Sequence, residues 1–129
     1  MRIRIPSTIE IIVQKKDGEI PINLNKELIQ WVLENMIKNS IDSIEKKGKI
    51  KLEINLGGKA NLKISDTGSG IEKELQSKVF DAGVSTKTRG WGIGLSLTKR
   101  IIEKYHKGRI KLLNSSKNGT EFLIEIPIN

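Results

Sequence analysis

The stretch RGWGIGLSLTKRIIEKYHKG, residues 89 to 108, sets glycines at 90, 92 and 94 directly against a strongly patterned helix. Glycine is among the poorest helix formers, so three of them at a helix boundary answer some other need. Glycine allows a tight backbone turn and lets another group come close to the main chain. A helix start adds unpaired N–H groups and a partial positive charge, which together suit a phosphate. The question is whether this helix start is a phosphate cradle and, if so, for which kind of nucleotide.

The rest of the chain supplies the frame. IEIIVQK (9–15) is rich in β-branched residues and bounded by turn residues, so it reads as a strand. PINLN (21–25) is a connector whose last residue, Asn25, is a good N-cap. The period then predicts a helix from Lys26 to about Lys46, closed by Gly48 as a C-terminal cap. KIKLEINL (49–56) alternates apolar and polar residues and turns through Gly57-Gly58 into NLKIS (61–65), a hairpin pattern. A short helical piece is expected from Glu72 to about Val79, and a loop over residues 80 to 91. A second helix is expected from about Ile93 to Tyr105, ending at Gly108. A second hairpin follows, 109–115 and 120–128. There is no internal repeat or linker. The sum is one α+β domain, a two-layer sandwich with helices packed on one face of a mixed, mostly antiparallel sheet.

Helix 26–46 carries the first residues that point to chemistry. At about 100° per residue its apolar face is drawn by Ile29, Val32, Leu33, Met36, Ile37, Ile41 and Ile44. Asn35, Asn39 and Asp42 form a stripe along one flank of that face. Asn39 projects close to Val32 and should be partly buried, where an amide without partners is costly. Such a stripe faces either solvent or a polar ligand or hydrated metal. Amide oxygens suit Mg²⁺, which is hard and keeps several waters.

Familiar nucleotide motifs do not fit. NLKISDTGSGIEKEL has the strand, glycine turn and helix of a dinucleotide fold, but Lys73 stands where G-x-G-x-x-G needs its third glycine. Ser85-Thr86-Lys87 follows Gly83 in the wrong order for a P-loop. H-R-D and D-F-G are both absent, which excludes the eukaryotic protein-kinase pattern. What does occur, in order, is an asparagine stripe, D-x-G-x-G, a basic loop, and G-x-G-x-G on a helix start. In that combination the chain resembles the ATP-binding superfamily of gyrase-type topoisomerases, certain chaperones, histidine kinases and mismatch-repair ATPases. The likeness is greatest to the catalytic, ATP-binding domain of bacterial sensor histidine kinases, from about Ser7 to Pro127.

The resemblance implies roles residue by residue. ENMIKNSID (34–42) is similar to the N box: Asn39 would hold Mg²⁺, Asn35 and Lys38 would approach the phosphates of ATP, and Asp42 would lie nearby. DTGSG (66–70) resembles the first glycine box. There Asp66 would accept from the adenine amino group while Gly68 and Gly70 let the loop close over the base. Phe80 opens what looks like the F box and lid, in which Thr86, Lys87 and Arg89 would contact phosphate. Asn39 and Lys87 would supply the charge stabilisation of phosphoryl transfer. Gly90, Gly92 and Gly94, with Leu95 and Ser96, resemble the second glycine box, and Thr120 matches a threonine that helps read adenine. Three features depart from the pattern: Trp91 between two glycines, Ser40 in the usual alanine place, and a short lid.

Enzymes of the superfamily that hydrolyse ATP carry a glutamate base four residues before the metal asparagine. Here that position is Asn35, and an amide takes no proton from water at neutral pH. Glu34 points about 100° away on the helix. The resemblance thus implies a kinase that supplies the γ-phosphoryl group to a histidine on a helical dimerisation domain, with a response regulator downstream. That helical domain is not recognisable in these residues. His106, the only histidine, reads as a capping or packing residue. An ATPase or serine kinase of the superfamily, and a degenerate nucleotide-binding scaffold, are the alternatives.

Composition bears on partners. The net charge of +8 is compatible with nucleic acid, anionic membrane, an anionic ligand or a solvated surface. Aromatics make up 4%, too few for a stacking platform, so no nucleic-acid partner is expected. No apolar run approaches the roughly 20 residues of a membrane span. The absence of cysteine excludes disulfides and thiolate metal sites. A cytoplasmic location without membrane contact from this segment is the expectation, whether or not a parent protein is anchored.

Overall fold

The computed structural model describes residues 5–16, 25–56, 59–81 and 94–127. Its elements are β1 (Ile9–Lys16), α1 (Lys26–Ser43), β2 (Gly48–Asn55), β3 (Lys59–Asp66), α2 (Lys73–Gln76), α3 (Gly94–Arg100), β4 (Arg109–Ser116) and β5 (Gly119–Pro127). The five strands form one sheet in the order β1-β2-β3-β5-β4. Only β1 and β2 run parallel, joined through α1; every other pairing is antiparallel. The expected mixed, mostly antiparallel α+β sandwich is what forms.

Alternation decides which face of the sheet is inside. Leu52, Ile64, Phe122 and Leu112 fall in one register row across β2, β3, β5 and β4. Ile54, Leu62, Ile124 and Ile110 make the next row. The intervening residues put Lys51, Glu53, Lys63, Lys111, Glu121 and Glu125 on the other face. There Lys63–Glu121 at 3.8 Å and Lys111–Glu125 at 3.6 Å pair across strands. A third row on the core face runs Ile50, Asp66, Thr120 and Ser115, apolar at one end and polar at the other. The register therefore lays a polar strip at one end of an otherwise apolar core.

Helix α1 is opened by Asn25, whose side chain accepts from the Leu28 N–H at 3.1 Å. It stops at Ser43, three residues before the expected end, because Ile44 turns extended and drops into the core. Gly48 is consequently not a helix cap; it begins β2, and its N–H donates to the Thr8 carbonyl at 3.2 Å. The buried face of α1 is also rotated from the expected one. Val32 and Met36 lie deepest, joined by Asn35 and Ser40, whereas Ile37 and Ile41 are only half-buried. Part of the polar flank is thus inside the core.

The expected piece 72–79 is a single helical turn, Lys73–Gln76, followed by a non-helical turn. The second long helix starts as α3 and finishes as a π-helical turn, Ile101–Tyr105. Adjacent Ile101 and Ile102 are both buried there. Carbonyls released at such an end need new donors. His106 Nδ1 lies 3.0 Å from the Ile101 oxygen, and the Gly108 N–H donates to the Ile102 oxygen at 2.9 Å.

Candidate functional site

The D-x-G-x-G loop leaves β3 at the polar end of the core and is fastened on three sides. Thr67 exchanges two hydrogen bonds with Lys49 of β2: its N–H donates to the Lys49 oxygen at 3.1 Å, and its Oγ1 accepts from the Lys49 N–H at 3.0 Å. The end of α1 takes the middle of the loop, where the Ser69 N–H donates to the Ser43 oxygen at 2.9 Å. On the β4 side the Ile71 N–H donates to Ser115 Oγ at 2.8 Å, and Gln76 Nε2 reaches the Ile71 oxygen at 3.0 Å. Gly70 sits at φ 83°, a left-handed conformation. A Cβ there would collide with the Ser116 carbonyl oxygen. A side chain at 70 would push the loop off the β4–β5 turn.

This fastening fixes how Asp66 is presented. Its Oδ1 accepts from the Gly68 N–H at 2.9 Å and, at 3.4 Å, from Ser43 Oγ. Its Oδ2 has no hydrogen-bond partner among the described residues. Directly opposite Asp66 in the sheet register stands Thr120, 4% exposed, with its hydroxyl 2.8 Å from Ser115 Oγ. A carboxylate on a half-buried residue, opposite a buried hydroxyl in the register, suits a ligand edge that both donates and accepts hydrogen bonds.

On α1, Asn39 is half-buried, with its amide nitrogen closed off from solvent. Lys38 is half-buried and Asp42 exposed. Asn35 is 2% exposed, and its Nδ2 donates to Thr98 Oγ1 of α3 at 3.0 Å. Gly94 makes room for this contact, since a Cβ there would stand 2.8 Å from Asn35 Oδ1. Leu95 packs on the core and Ser96 is half-buried. Glu34 lies 3.2 Å from Gln30 Nε2, on the outside of α1. Phe80 meets Phe122 edge to face, centroids 6.1 Å apart, and carries Lys99 Nζ 5.6 Å above its ring. Thr86, Lys87, Arg89, Gly90, Trp91 and Gly92 lie outside the described residues.

The structure thus brings Asp66, Gly68, Gly70 and Thr120 to one end of the sheet, and Asn35 against Gly94 between the two helices. Three participants were not read from the sequence: Ser43, Thr98 and Ser115. Thr98 had a signal, because it shares a helical face with Ile101 and Ile102, and a hydroxyl at such a place needs a partner. Ser115 had none, since its role depends on sheet register. A groove of about 650 Å³ lies between the loop exit, α2 and the β4–β5 turn. It shares Gly70 and Ser115 with this site, but Asp66, Thr120 and Asn39 do not line it.

Known proteins share this fold and much of this sequence. Over 120 residues the chain is 36% identical to the signal transduction histidine-protein kinase AtoS of Escherichia coli, covering 91% of this chain and 20% of that protein. The chain spans about a fifth of the length of the curated relatives it matches. Its fold superposes on the catalytic domain of histidine kinase ThkA with a TM-score of 0.81, at 32% identity, covering 93% of this chain and 79% of that one. The full histidine kinase ThkA, solved with the response regulator TrrA, gives 0.77 at 29% identity, covering 94% and 34%. ShkA, solved at full length with AMPPNP, gives 0.75 at 27% identity, covering 92% and 25%. Residues 24–129 match the family described as histidine kinase-, DNA gyrase B-, and HSP90-like ATPase. With that match over most of its length and the fold of a histidine kinase catalytic domain, the chain belongs to this ATPase family, on its histidine-kinase side.

Proposed function

We propose that this domain binds Mg·ATP and supplies the γ-phosphoryl group to a histidine on a separate helical domain, with a response regulator as the next acceptor. The observation that carries the reading is Asp66. Its carboxylate is oriented through Oδ1 by the loop and has Oδ2 left over beside buried Thr120, an arrangement suited to the amino edge of adenine. The site also fits the rest of the ligand. Asn39 offers an amide oxygen on a half-buried stripe, and Gly94 opens α3 where a side chain would not fit. Among the described residues no three His, Cys, Asp or Glu side chains cluster as a metal site. A Mg²⁺ held by Asn39 would take its other oxygens from phosphate and water. When bound, the ion supplies charge neutralisation on the phosphates. The residues of this chain hold the base, orient the triphosphate and, through Lys87, Thr86 and Arg89, contact its oxygens.

Transfer to a protein acceptor is favoured over hydrolysis because the position of the hydrolytic base is an amide already donating to Thr98. No described carboxylate replaces it: Glu34 lies on the outside of α1. The solved complexes of ThkA with a response regulator and of ShkA with AMPPNP support the assignment of partner and nucleotide. Among the described residues no helix is long and apolar enough to cross a membrane.

The test is a tryptophan-fluorescence titration of the domain with AMPPNP, with and without Mg²⁺. Wild type should bind saturably. Asp66→Asn should weaken binding about 10-fold or more, as for a lost charged hydrogen bond. Asn39→Ala should weaken binding chiefly when Mg²⁺ is present. A folded domain that shows no saturable binding would overturn the proposal, and steady phosphate release without a partner would favour an ATPase.

A further inference from the structure

Two of the most deeply buried polar side chains in the described structure face each other between α1 and α3. Asn35 is 2% exposed and Thr98 0%. The geometry fixes the direction of every proton between them. Thr98 Oγ1 lies 2.7 Å from the Gly94 carbonyl oxygen, which can only accept. The single hydroxyl proton is therefore spent on Gly94, and Thr98 can only accept from Asn35, whose Nδ2 stands at 3.0 Å. The chain Asn35 Nδ2–H to Thr98 Oγ–H to Gly94 O runs from the asparagine helix to the first residue of α3. Neighbouring bonds of this kind in a dry site reinforce one another.

This geometry accounts for the amide at position 35. A carboxylate there has no proton to give at neutral pH and would set its lone pairs against those of the Thr98 hydroxyl. An aspartate or glutamate at 35 and a threonine at 98 oppose each other unless Thr98 releases Gly94. The contact also needs Gly94 itself, since a Cβ would come within 2.8 Å of Asn35 Oδ1.

We propose that Asn35 and Thr98 are a matched pair of positioning residues: they hold the opening turn of α3 against α1 in the place where the triphosphate is bound, without touching it. The inference rests on the Mg·ATP reading above. It assigns Asn35 to the scaffold of the site and adds Thr98, which no phosphate motif would single out. Because Asp66 and Thr120 grip the other end of the ligand, the pair should matter for the phosphates and not for the base.

The experiment compares AMPPNP with Mg²⁺, and adenosine as its competitor, on the isolated chain. The variants are Thr98→Val, Thr98→Ser and Asn35→Asp. Thr98→Val and Asn35→Asp should each weaken Mg·AMPPNP about 10-fold, the effect of one buried hydrogen bond. Adenosine affinity should stay within about twofold, and Thr98→Ser, which keeps the hydroxyl, should retain wild-type affinity for both. If Thr98→Val fails to fold, Asn35→Asp against Thr98→Ser carries the same comparison. Equal weakening of AMPPNP and adenosine would reduce the pair to general packing and overturn the proposal. So would wild-type AMPPNP affinity in both disruptive variants. A folded wild type that binds neither ligand would instead remove the Mg·ATP reading and the role of the pair with it.

Discussion

His106 uses both ring nitrogens in packing. Its Nε2 lies 3.2 Å from the Asn25 N–H, so this nitrogen must accept and carry no proton. The proton of the neutral ring then sits on Nδ1, 3.0 Å from the Ile101 carbonyl oxygen. One ring thereby joins the start of α1 to the π-helical end of the other long helix, the packing role that the sequence context implied. Nitrogen-15 NMR of the neutral side chain should show the Nδ1–H tautomer, and finding Nε2–H would contradict the pairing. His106→Ala should lower the stability of the domain by about 1 kcal/mol in urea unfolding, since the contact with Asn25 is exposed. A change well under 0.5 kcal/mol would mean that water replaces both bonds. Asp66, Gly68, Gly70 and Thr120 were singled out through the family motif, and the structure brings these four to one end of the sheet. Thr98 was legible only in part: its helical face with Ile101 and Ile102 signals burial, but nothing in GLSLTKR shows that its hydroxyl accepts from Asn35 and donates to the Gly94 carbonyl.

At the scale of elements, the glycine loop gains its shape from three neighbours more than from its own sequence. Ser115 is the hinge of that arrangement. It accepts from Ile71 at 2.8 Å, shares a hydrogen bond with Thr120, and its main-chain oxygen lies 3.3 Å from Gln76 Nε2. Ser115→Ala leaves the loop N–H and the Thr120 hydroxyl short of a partner in a half-buried setting. The expected cost is about 1–2 kcal/mol of stability together with weaker adenosine binding. Ser115→Thr, which keeps the hydroxyl, should lose less of both, and equal losses in the two variants would show that size and not hydrogen bonding matters. The strands were legible to within a residue or two because alternation is a strong signal on a sheet with one dry face. Helix ends were not. The pattern of α1 continues through Ile44, which is buried, but it is buried in extended conformation after the helix has stopped. The Gly48 that resembled a cap is needed instead at the start of β2, where a Cβ would press on Thr67 Oγ1 at 2.5 Å.

For the molecule as a whole, the question is where a net charge of +8 acts. The outer sheet face interleaves both signs, with Lys51–Glu53 at 3.7 Å beside the cross-strand pairs, so its field largely cancels at a distance. The second long helix instead carries exposed Lys99, Arg100 and Lys104, and Glu103 is its single described acid. A polyanion approaching the helix side therefore meets attraction that an uncharged ligand does not. Raising salt from about 0.05 to 0.5 M shortens the screening length from roughly 14 to 4 Å. It should weaken Mg·AMPPNP several-fold while adenosine affinity stays nearly constant. Binding should also appear as stability, because a ligand that binds only the folded state adds about 2.7 kcal/mol at 100 times its Kd. For a domain of this size that raises the melting midpoint by roughly 10 °C. The two measurements together locate the ligand on the molecule. A midpoint shift from AMPPNP that shrinks in high salt, beside a salt-independent shift from adenosine, would place phosphate recognition on the basic helix side and base recognition at the sheet end. Equal salt sensitivity of both ligands would mean that ionic strength loosens the fold itself, and the separation into a base end and a phosphate end would fail.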